Sequence, residues 1–148
     1  MLKKIILKTK HNKCKIIVGK NSLKKIYEYL NIRNQKTLNI ILVDFKVYNK
    51  HKKYIKDNIK KINSKIVIFN TAEKNKSING YFKLINKIFK LNPDRNTKII
   101  IIGGGMLGDL GGFIASTILR GLDLILVPTT LLSQADSSIG GKNGINNR

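Results

Sequence analysis

The chain has 148 residues, a formal net charge of +21 and 42% hydrophobic residues. This length suffices for one domain with a buried core, and no stretch approaches the roughly 20 consecutive apolar residues that span a membrane. The apolar run at residues 5–7 is too short for a signal peptide and leads into lysine-rich sequence. We therefore expect a cytoplasmic protein with no membrane partner.

The positive charge lies almost entirely in the first two thirds of the chain. Of 25 lysines, 24 lie at or before Lys98, interleaved with Asn and Ile. There is no arginine cluster and no aromatic platform on which bases could stack. A solvated lysine surface is the favoured interpretation, and we expect no nucleic-acid partner, although weak salt-sensitive binding to polyanions is compatible with the charge.

Few residues of this chain suit a metal centre. Cys14 is the single cysteine, which excludes a disulfide framework and a cysteine metal cluster, and its alternating surroundings predict a half-buried structural thiol. His11 and His51 are far apart in the sequence and each lies near a lysine. We expect no metal site built from this chain alone.

Hydrophobic periodicity divides the chain into strands that alternate with helices. The predicted elements, in order, are a hairpin (residues 4–7 and 15–18), a helix (21–30), a strand (38–43), a helix (about 48–62), a strand (66–69), a helix (78–91), a strand (99–102), a helix (112–119) and a strand (124–127). Such alternation predicts a doubly wound, mainly parallel α/β sheet, to which the N-terminal hairpin is added.

In such a sheet, ligands bind outside the carboxyl ends of the strands. This rule selects the residues that follow each predicted strand, namely Asp44, residues 71–76, residues 103–109 and residues 128–130.

The glycine-rich segment after the third of these strands has the spacing of a dinucleotide loop. Gly103, Gly105 and Gly108 form G-x-G-x-x-G, and glycines let backbone N–H groups approach a pyrophosphate. Glycine turns also serve the packing of a helix on a strand, so the pattern alone is a weak signal, and its setting between a predicted strand and a helix makes the two interpretations about equally supported. The acid that usually follows the second strand is not supplied by Asp123, which precedes its strand.

The polar residues near this loop each have a structural and a functional interpretation. Asp109 is either a helix-terminus acid or a nucleotide acceptor. Arg120 either complements a helix dipole or grips a phosphate in bidentate fashion. Thr129 and Thr130 end a strand or bind ligand oxygens, and Asp136 belongs to a helix-capping sequence or to the site.

The order of these motifs is more specific than any one of them. GGGMLGDLGGFIASTILRG followed by PTTLLSQADSSIGGKNGIN resembles the 3-dehydroquinate synthase family, NAD-using enzymes of the sugar-phosphate cyclase group. Residues 71–77, TAEKNKS, fit the family's GExxKS loop with Ala72 in place of glycine, and Asp44 stands where the family keeps an acid near the adenosine ribose. The resemblance implies a Rossmann-like NAD-binding domain over residues 1–148, truncated at its C-terminal end.

The resemblance also implies roles for individual residues. Asp136 and Lys142 would face the carbohydrate substrate, and Arg120 would reach a substrate phosphate across a dimer interface. The residues that would line the NAD pocket are Asp44, Glu73, Lys76, Gly103, Gly104, Gly105, Gly108, Asp109, Thr129, Thr130 and Lys142.

The implied activity is that of a carbon–oxygen lyase of the shikimate pathway, which leads to chorismate and the aromatic amino acids. Such an enzyme converts 3-deoxy-D-arabino-heptulosonate 7-phosphate to 3-dehydroquinate and phosphate, with NAD+ and a divalent metal, zinc or cobalt, in a homodimer. Two departures stand out: Asn143 replaces the usual threonine, and the family's helical C-terminal domain with its metal ligands is absent. We therefore expect no metal ligands in this chain and no turnover by this chain alone.

Two alternatives stay open. The same N-terminal motifs would serve another sugar-phosphate cyclase, such as one of the inosose synthase type. A basic, non-catalytic binding domain would instead bind nucleic acid in a salt-dependent way and would show no affinity for NAD+.

Overall fold

The computed structural model describes residues 2–8, 13–30, 36–141 and 143–146. In these residues the chain forms an antiparallel hairpin and a four-stranded parallel sheet. The strands are β1 (Lys3–Lys8) and β2 (Lys13–Val18) of the hairpin, and β3 (Asn39–Asp44), β4 (Ser64–Phe69), β5 (Lys98–Gly103) and β6 (Asp123–Pro128) of the main sheet.

Helices connect the strands of the main sheet. They are α1 (Ile26–Tyr29), which follows a 3-10 turn, α2 (Phe45–Ile59), α3 (Ile78–Phe89) and α4 (Gly105–Thr117). A 3-10 turn at Glu73–Asn75 precedes α3, and a wide helical turn at Ser133–Ser137 follows β6. None of the helices in the described part of the chain has the length and hydropathy needed to cross a bilayer.

The strand order is β4-β3-β5-β6, and helices cover both faces of the sheet. Ile40 and Leu42 of β3 point into the core formed with α3 and α4, whereas Ile41 and Val43 point into the core formed with α1 and α2. Because both faces are covered, β3 is a continuous apolar run instead of an alternating one. The predicted doubly wound parallel sheet with an N-terminal hairpin is confirmed.

The starts of two helices differ from the predicted ones. Helix α2 begins at Phe45 because the Asp44 side chain caps it, with the Val47 N–H donating to Oδ1 at 2.9 Å. Helix α4 begins at Gly105, seven residues before the predicted start at residue 112. Glycine has a low helix propensity, but burial of Leu107 and Leu110 in the core outweighs it.

The N-terminal hairpin shows a third difference. Cys14 is exposed, not half-buried as predicted. Its neighbours Ile5, Leu7 and Val18 on the same face are also 41–54% exposed, so alternation along a strand did not bury that face.

Candidate functional site

The sheet has a topological switch point between β3 and β5. From β3 the chain passes through α2 to β4 on one side, and it returns through α3 to β5 on the other side. The two connections lie on opposite faces, so a crevice opens where the carboxyl ends of β3 and β5 meet. Asp44 ends β3 beside Gly103 of β5, where an added Cβ would lie 3.6 Å from the Asp44 Cβ.

Asp44 is a junction of three segments at this crevice. Asp44 is 6% exposed. Its Oδ1 accepts a hydrogen bond from the Val47 N–H, and its Oδ2 accepts one from the Thr71 hydroxyl. The carboxylate thereby joins the end of β3 to the start of α2 and to the loop after β4. A carboxylate has about four lone-pair positions, so it has acceptor capacity left for a ligand hydroxyl.

The glycine loop places the start of α4 against the segment after β6. A Cβ on Gly104 would lie 3.0 Å from the Thr130 Cγ2, and one on Gly105 would lie 3.0 Å from the Ser137 Oγ. A Cβ on Gly108, in contrast, would meet nothing within 4 Å. Gly104 and Gly105 therefore allow a close approach of two backbones, while Gly108 leaves open space beside the helix.

The N-terminus of α4 can attract an anion. Gly104 precedes the helix without any side-chain cap, and the first turn contains no acidic residue. The first backbone N–H groups of a helix have no partner within it, and the helix dipole adds a partial positive charge there. The arrangement suits a phosphate or pyrophosphate at the carboxyl edge of the sheet.

An ion pair joins two of the predicted site residues. Lys76, in the loop before α3, lies with Nζ 2.5 Å from Oδ2 of Asp109, the fifth residue of α4. The side chains are 21% and 22% exposed, so both charged groups are reachable from solvent. The predicted positions of Glu73 and Lys142 cannot be compared in this way, because the Glu73 side chain and Lys142 lie outside the described residues.

The two threonines after β6 are held by local hydrogen bonds. The Thr129 N–H donates to the Gly103 carbonyl at 2.9 Å, which ties the ends of β5 and β6 together. The Thr130 Oγ1 accepts from the Ser133 N–H at 3.2 Å and donates to the Ser133 Oγ at 2.8 Å. Asp136 follows in the same helical turn and is exposed.

Arg120 is not brought together with these residues. It follows the 13-residue helix α4, which runs away from the glycine loop and spans about 20 Å at 1.5 Å per residue. The residue is exposed, and Leu119, Arg120 and Gly121 have φ angles of 51°, 73° and 98°. Such φ values are costly for Leu and Arg, so the turn that carries Arg120 is strained. This turn precedes β6 and lies at the amino ends of the strands, opposite the crevice.

Two contributors to the site were not predicted from the sequence: Ser137 lies against the glycine-rich segment, and residues 143–146 fold back over α4. Thr71, which donates to Asp44, lies in the loop at residues 71–76 that the carboxyl-end rule selected. The other contacts join segments more than 30 residues apart or depend on a glycine surface, and they leave no local signal.

The described residues contain no group of three or more His, Cys, Asp or Glu side chains that could hold a metal ion. The described residues that could contribute to a site are Asp44 at the end of β3, the uncapped start of α4, and the ion pair of Lys76 with Asp109 of α4.

Comparison with protein families gives a match to the N-terminal 3-dehydroquinate synthase model over residues 66–148. Among curated relatives, the 3-dehydroquinate synthase of Pelagibacter ubique is 40% identical over 148 residues, and that of Alkaliphilus oremlandii is 39% identical over 145 residues. These matches cover 98% and 95% of this chain. The chain spans about 40% of the length of the curated relatives it matches.

Solved structures show the same fold. A 2-deoxy-scyllo-inosose synthase complexed with carbaglucose-6-phosphate, NAD+ and Co2+ superposes with a TM-score of 0.87 at 26% identity, over 97% of this chain and 39% of the other. A 2-epi-5-epi-valiolone synthase from Streptomyces hygroscopicus, with NAD+ and Zn2+ bound, has a TM-score of 0.69 at 22% identity over 78% of this chain and 33% of the other. The second likeness concerns the fold alone.

Proposed function

Because the chain belongs to the 3-dehydroquinate synthase family, we propose that residues 1–148 form the NAD-binding domain of a phosphate-eliminating cyclase. The substrate is 3-deoxy-D-arabino-heptulosonate 7-phosphate, and the products are 3-dehydroquinate and phosphate. The observation that carries the proposal is the crevice at the switch point, where Asp44 and Gly103 lie side by side at the carboxyl ends of β3 and β5.

The residues at the crevice fit NAD. A ribose hydroxyl can donate to the Asp44 carboxylate, which has acceptor capacity beyond its bonds to Val47 and Thr71. The uncapped N-terminus of α4 receives the pyrophosphate, and Gly105, the first residue of the helix, adds no side chain there. When bound, NAD+ would supply an acceptor for the hydride on a substrate carbon that carries a hydroxyl.

The remaining roles divide between orientation and substrate contact. Lys76 and Asp109 flank the crevice as one cation and one anion, which adds no net charge and orients hydrogen-bonding groups of the ligand. Thr129, Thr130 and Glu73 complete the pocket. Asp136, exposed on the turn after β6, contacts the carbohydrate together with Lys142.

Arg120 acts on a second copy of the protein in this proposal. The length of α4 separates it from its own crevice by about 20 Å, which is beyond the reach of an arginine side chain. Its exposed position on a strained turn suits a phosphate contact across a dimer interface. The site is then complete only in the dimer.

A divalent metal, zinc or cobalt, is expected for enzymes of this family. The donor set of the described residues does not fit one, because no cluster of three potential ligands is present among them. Metal ligation is therefore not assigned to this part of the chain, and no step is derived through a metal.

A cyclase of the inosose synthase type is the second candidate. It is favoured by the TM-score of 0.87 and the 26% identity to 2-deoxy-scyllo-inosose synthase. The 3-dehydroquinate synthases are preferred because identity to them reaches 39–40% over nearly the whole chain.

Calorimetric titration of the chain with NAD+ tests the proposal against the alternative of a basic binding domain. The proposal predicts saturable binding of one NAD+ per chain with little dependence on salt. A mixed-sequence polynucleotide is the comparison ligand. Salt-dependent polynucleotide binding without any NAD+ binding would overturn the proposal, because it is the behaviour of a lysine-rich surface.

A further inference from the structure

Residues 143–146, here named the strap, cross from α4 to the start of α3. The Gly144 N–H donates to the Asp109 carbonyl at 3.4 Å, and the Asn146 N–H donates to the Lys76 carbonyl at 2.8 Å. Asn146 also forms a parallel bridge with Ser77. The strap is therefore bonded to the backbones of the same two residues whose side chains form the ion pair at the crevice.

Gly112 provides the surface on which the strap begins. It is buried in α4, and a Cβ added to it would overlap the Asn143 Oδ1 and lie 2.6 Å from the Asn143 Cγ. The amide group of Asn143 thus lies against bare helix backbone. Asn143 is exposed, so a Cβ at position 112 would not be rejected outright, but the amide could not keep its place against the helix backbone.

The strap is anchored between these contacts as well. Ile145 packs against the core formed by α3 and α4. Each of the four strap residues therefore has a contact: Asn143 lies against Gly112, Gly144 bonds to Asp109, Ile145 packs in the core and Asn146 bonds to Lys76. Gly144 directly follows Asn143, so a shift of the Asn143 backbone would be transmitted to the bond between Gly144 and Asp109.

We infer that Asn143, seated on Gly112, is a positioning residue that holds Lys76 and Asp109 in the geometry that binds NAD. The inference rests on the proposed function, since it assigns the ion pair to the nucleotide crevice. It adds a role for two residues that lie outside the predicted NAD pocket. The residues act through Lys76 and Asp109, not by touching the ligand.

The test compares Gly112→Ala, Asn143→Ala and the double variant in NAD+ titrations of the full chain. Each single change is expected to raise the Kd for NAD+ about tenfold, the scale of one hydrogen bond to a charged group. The double variant is expected to be no weaker than Asn143→Ala, because both changes remove one contact. Ser116→Ala is the matched control, since Ser116 is exposed on the same helix and bonds to the Phe113 carbonyl.

Hydrogen exchange at the Asn146 amide separates this inference from the proposed function. Loss of protection in Gly112→Ala, together with weaker NAD+ binding and a cooperative melting curve, is the expected result. Retained protection, or lost protection with unchanged NAD+ affinity, would overturn the inference. If Gly112→Ala fails to fold, Asn143→Ala decides by the same two readouts. Absence of NAD+ binding by the unsubstituted chain would overturn the proposed function and the positioning role with it, while exchange still reports on the contact itself.

Discussion

Gly105→Val is the substitution that separates ligand binding from folding most clearly. Gly105 is the first residue of α4, and a Cβ there would lie 3.0 Å from the Ser137 Oγ. A serine hydroxyl can rotate away, so the protein accommodates the Cβ at small cost. The two additional methyl groups of valine add bulk at the uncapped first residue of α4, where the pyrophosphate is proposed to bind.

The two effects differ in size. Valine has a slightly higher helix propensity than glycine, so the free energy of unfolding should change by less than about 1 kcal/mol. Hydrogen bonds to a charged group contribute about 1.5–3 kcal/mol each. Loss of two such bonds from the pyrophosphate would cost about 3 kcal/mol, or at least about 100-fold in Kd.

Calorimetric titration with NAD+ and urea unfolding measure these two quantities on the same protein. Gly105→Ala is the graded control, since it adds only the Cβ and should weaken binding much less than valine. A valine variant that binds NAD+ as tightly as the unsubstituted chain would refute the placement of the pyrophosphate at α4. An unfolded variant would refute the steric reasoning about Ser137.

Three further substitutions probe other parts of the account. Gly111→Ala should lower the free energy of unfolding, measured by urea unfolding, by about 1–2 kcal/mol. Its Cβ would overlap the Ile101 Cδ1, and this strain exceeds the gain in helix propensity. An unchanged midpoint of urea unfolding would mean that α4 can move away from the sheet. Asp109→Asn should raise the Kd for NAD+, measured by calorimetry, because Lys76 loses the carboxylate that lies 2.5 Å from its Nζ. The free energy of unfolding should fall by no more than about 1 kcal/mol. An unchanged Kd would mean that this ion pair has no part in NAD+ binding. Arg120→Ala should leave the Kd for NAD+ unchanged, because the residue follows the far end of α4 from the crevice. Weaker NAD+ binding by this variant would show that the role of Arg120 is not confined to the substrate phosphate.

The sequence predicted the sheet well because its strands are buried on both faces. Residues 99–102 are four consecutive isoleucines, which is typical of a strand covered by helices on both faces, as β5 is. The carboxyl-end rule then selected Asp44 and Gly103 without knowledge of the strand order. The strand order itself, which makes these two residues neighbours, came from the structure.

The start of α4 could not be predicted because its first turn contains glycines, which do not indicate a helix. Gly105 and Gly108 have low helix propensity, and the favourable burial of Leu107 and Leu110 depends on tertiary packing. The early start moves Asp109 into the second turn of the helix, where it meets Lys76 from 33 residues away. No local pattern marks a pair at that separation.

The position of Arg120 also depends on the length of that helix. With α4 taken as residues 112–119, the arginine stood at the end of a helix of two turns. The observed helix of 13 residues carries it the full height of the sheet. A direct contact between Arg120 and the crevice of its own chain is thereby excluded on distance.

Chemical-shift mapping of the backbone amides during NAD+ titration tests the central claim most directly. Saturable shifts are expected at residues 103–109 and at Asp44, and the amides of the Lys-rich helix α2 should not shift. Gly105→Val should abolish the shifts. An absence of shifts at the carboxyl ends of β3 and β5, or shifts confined to the lysines of α2, would contradict the claim that this crevice is the NAD site.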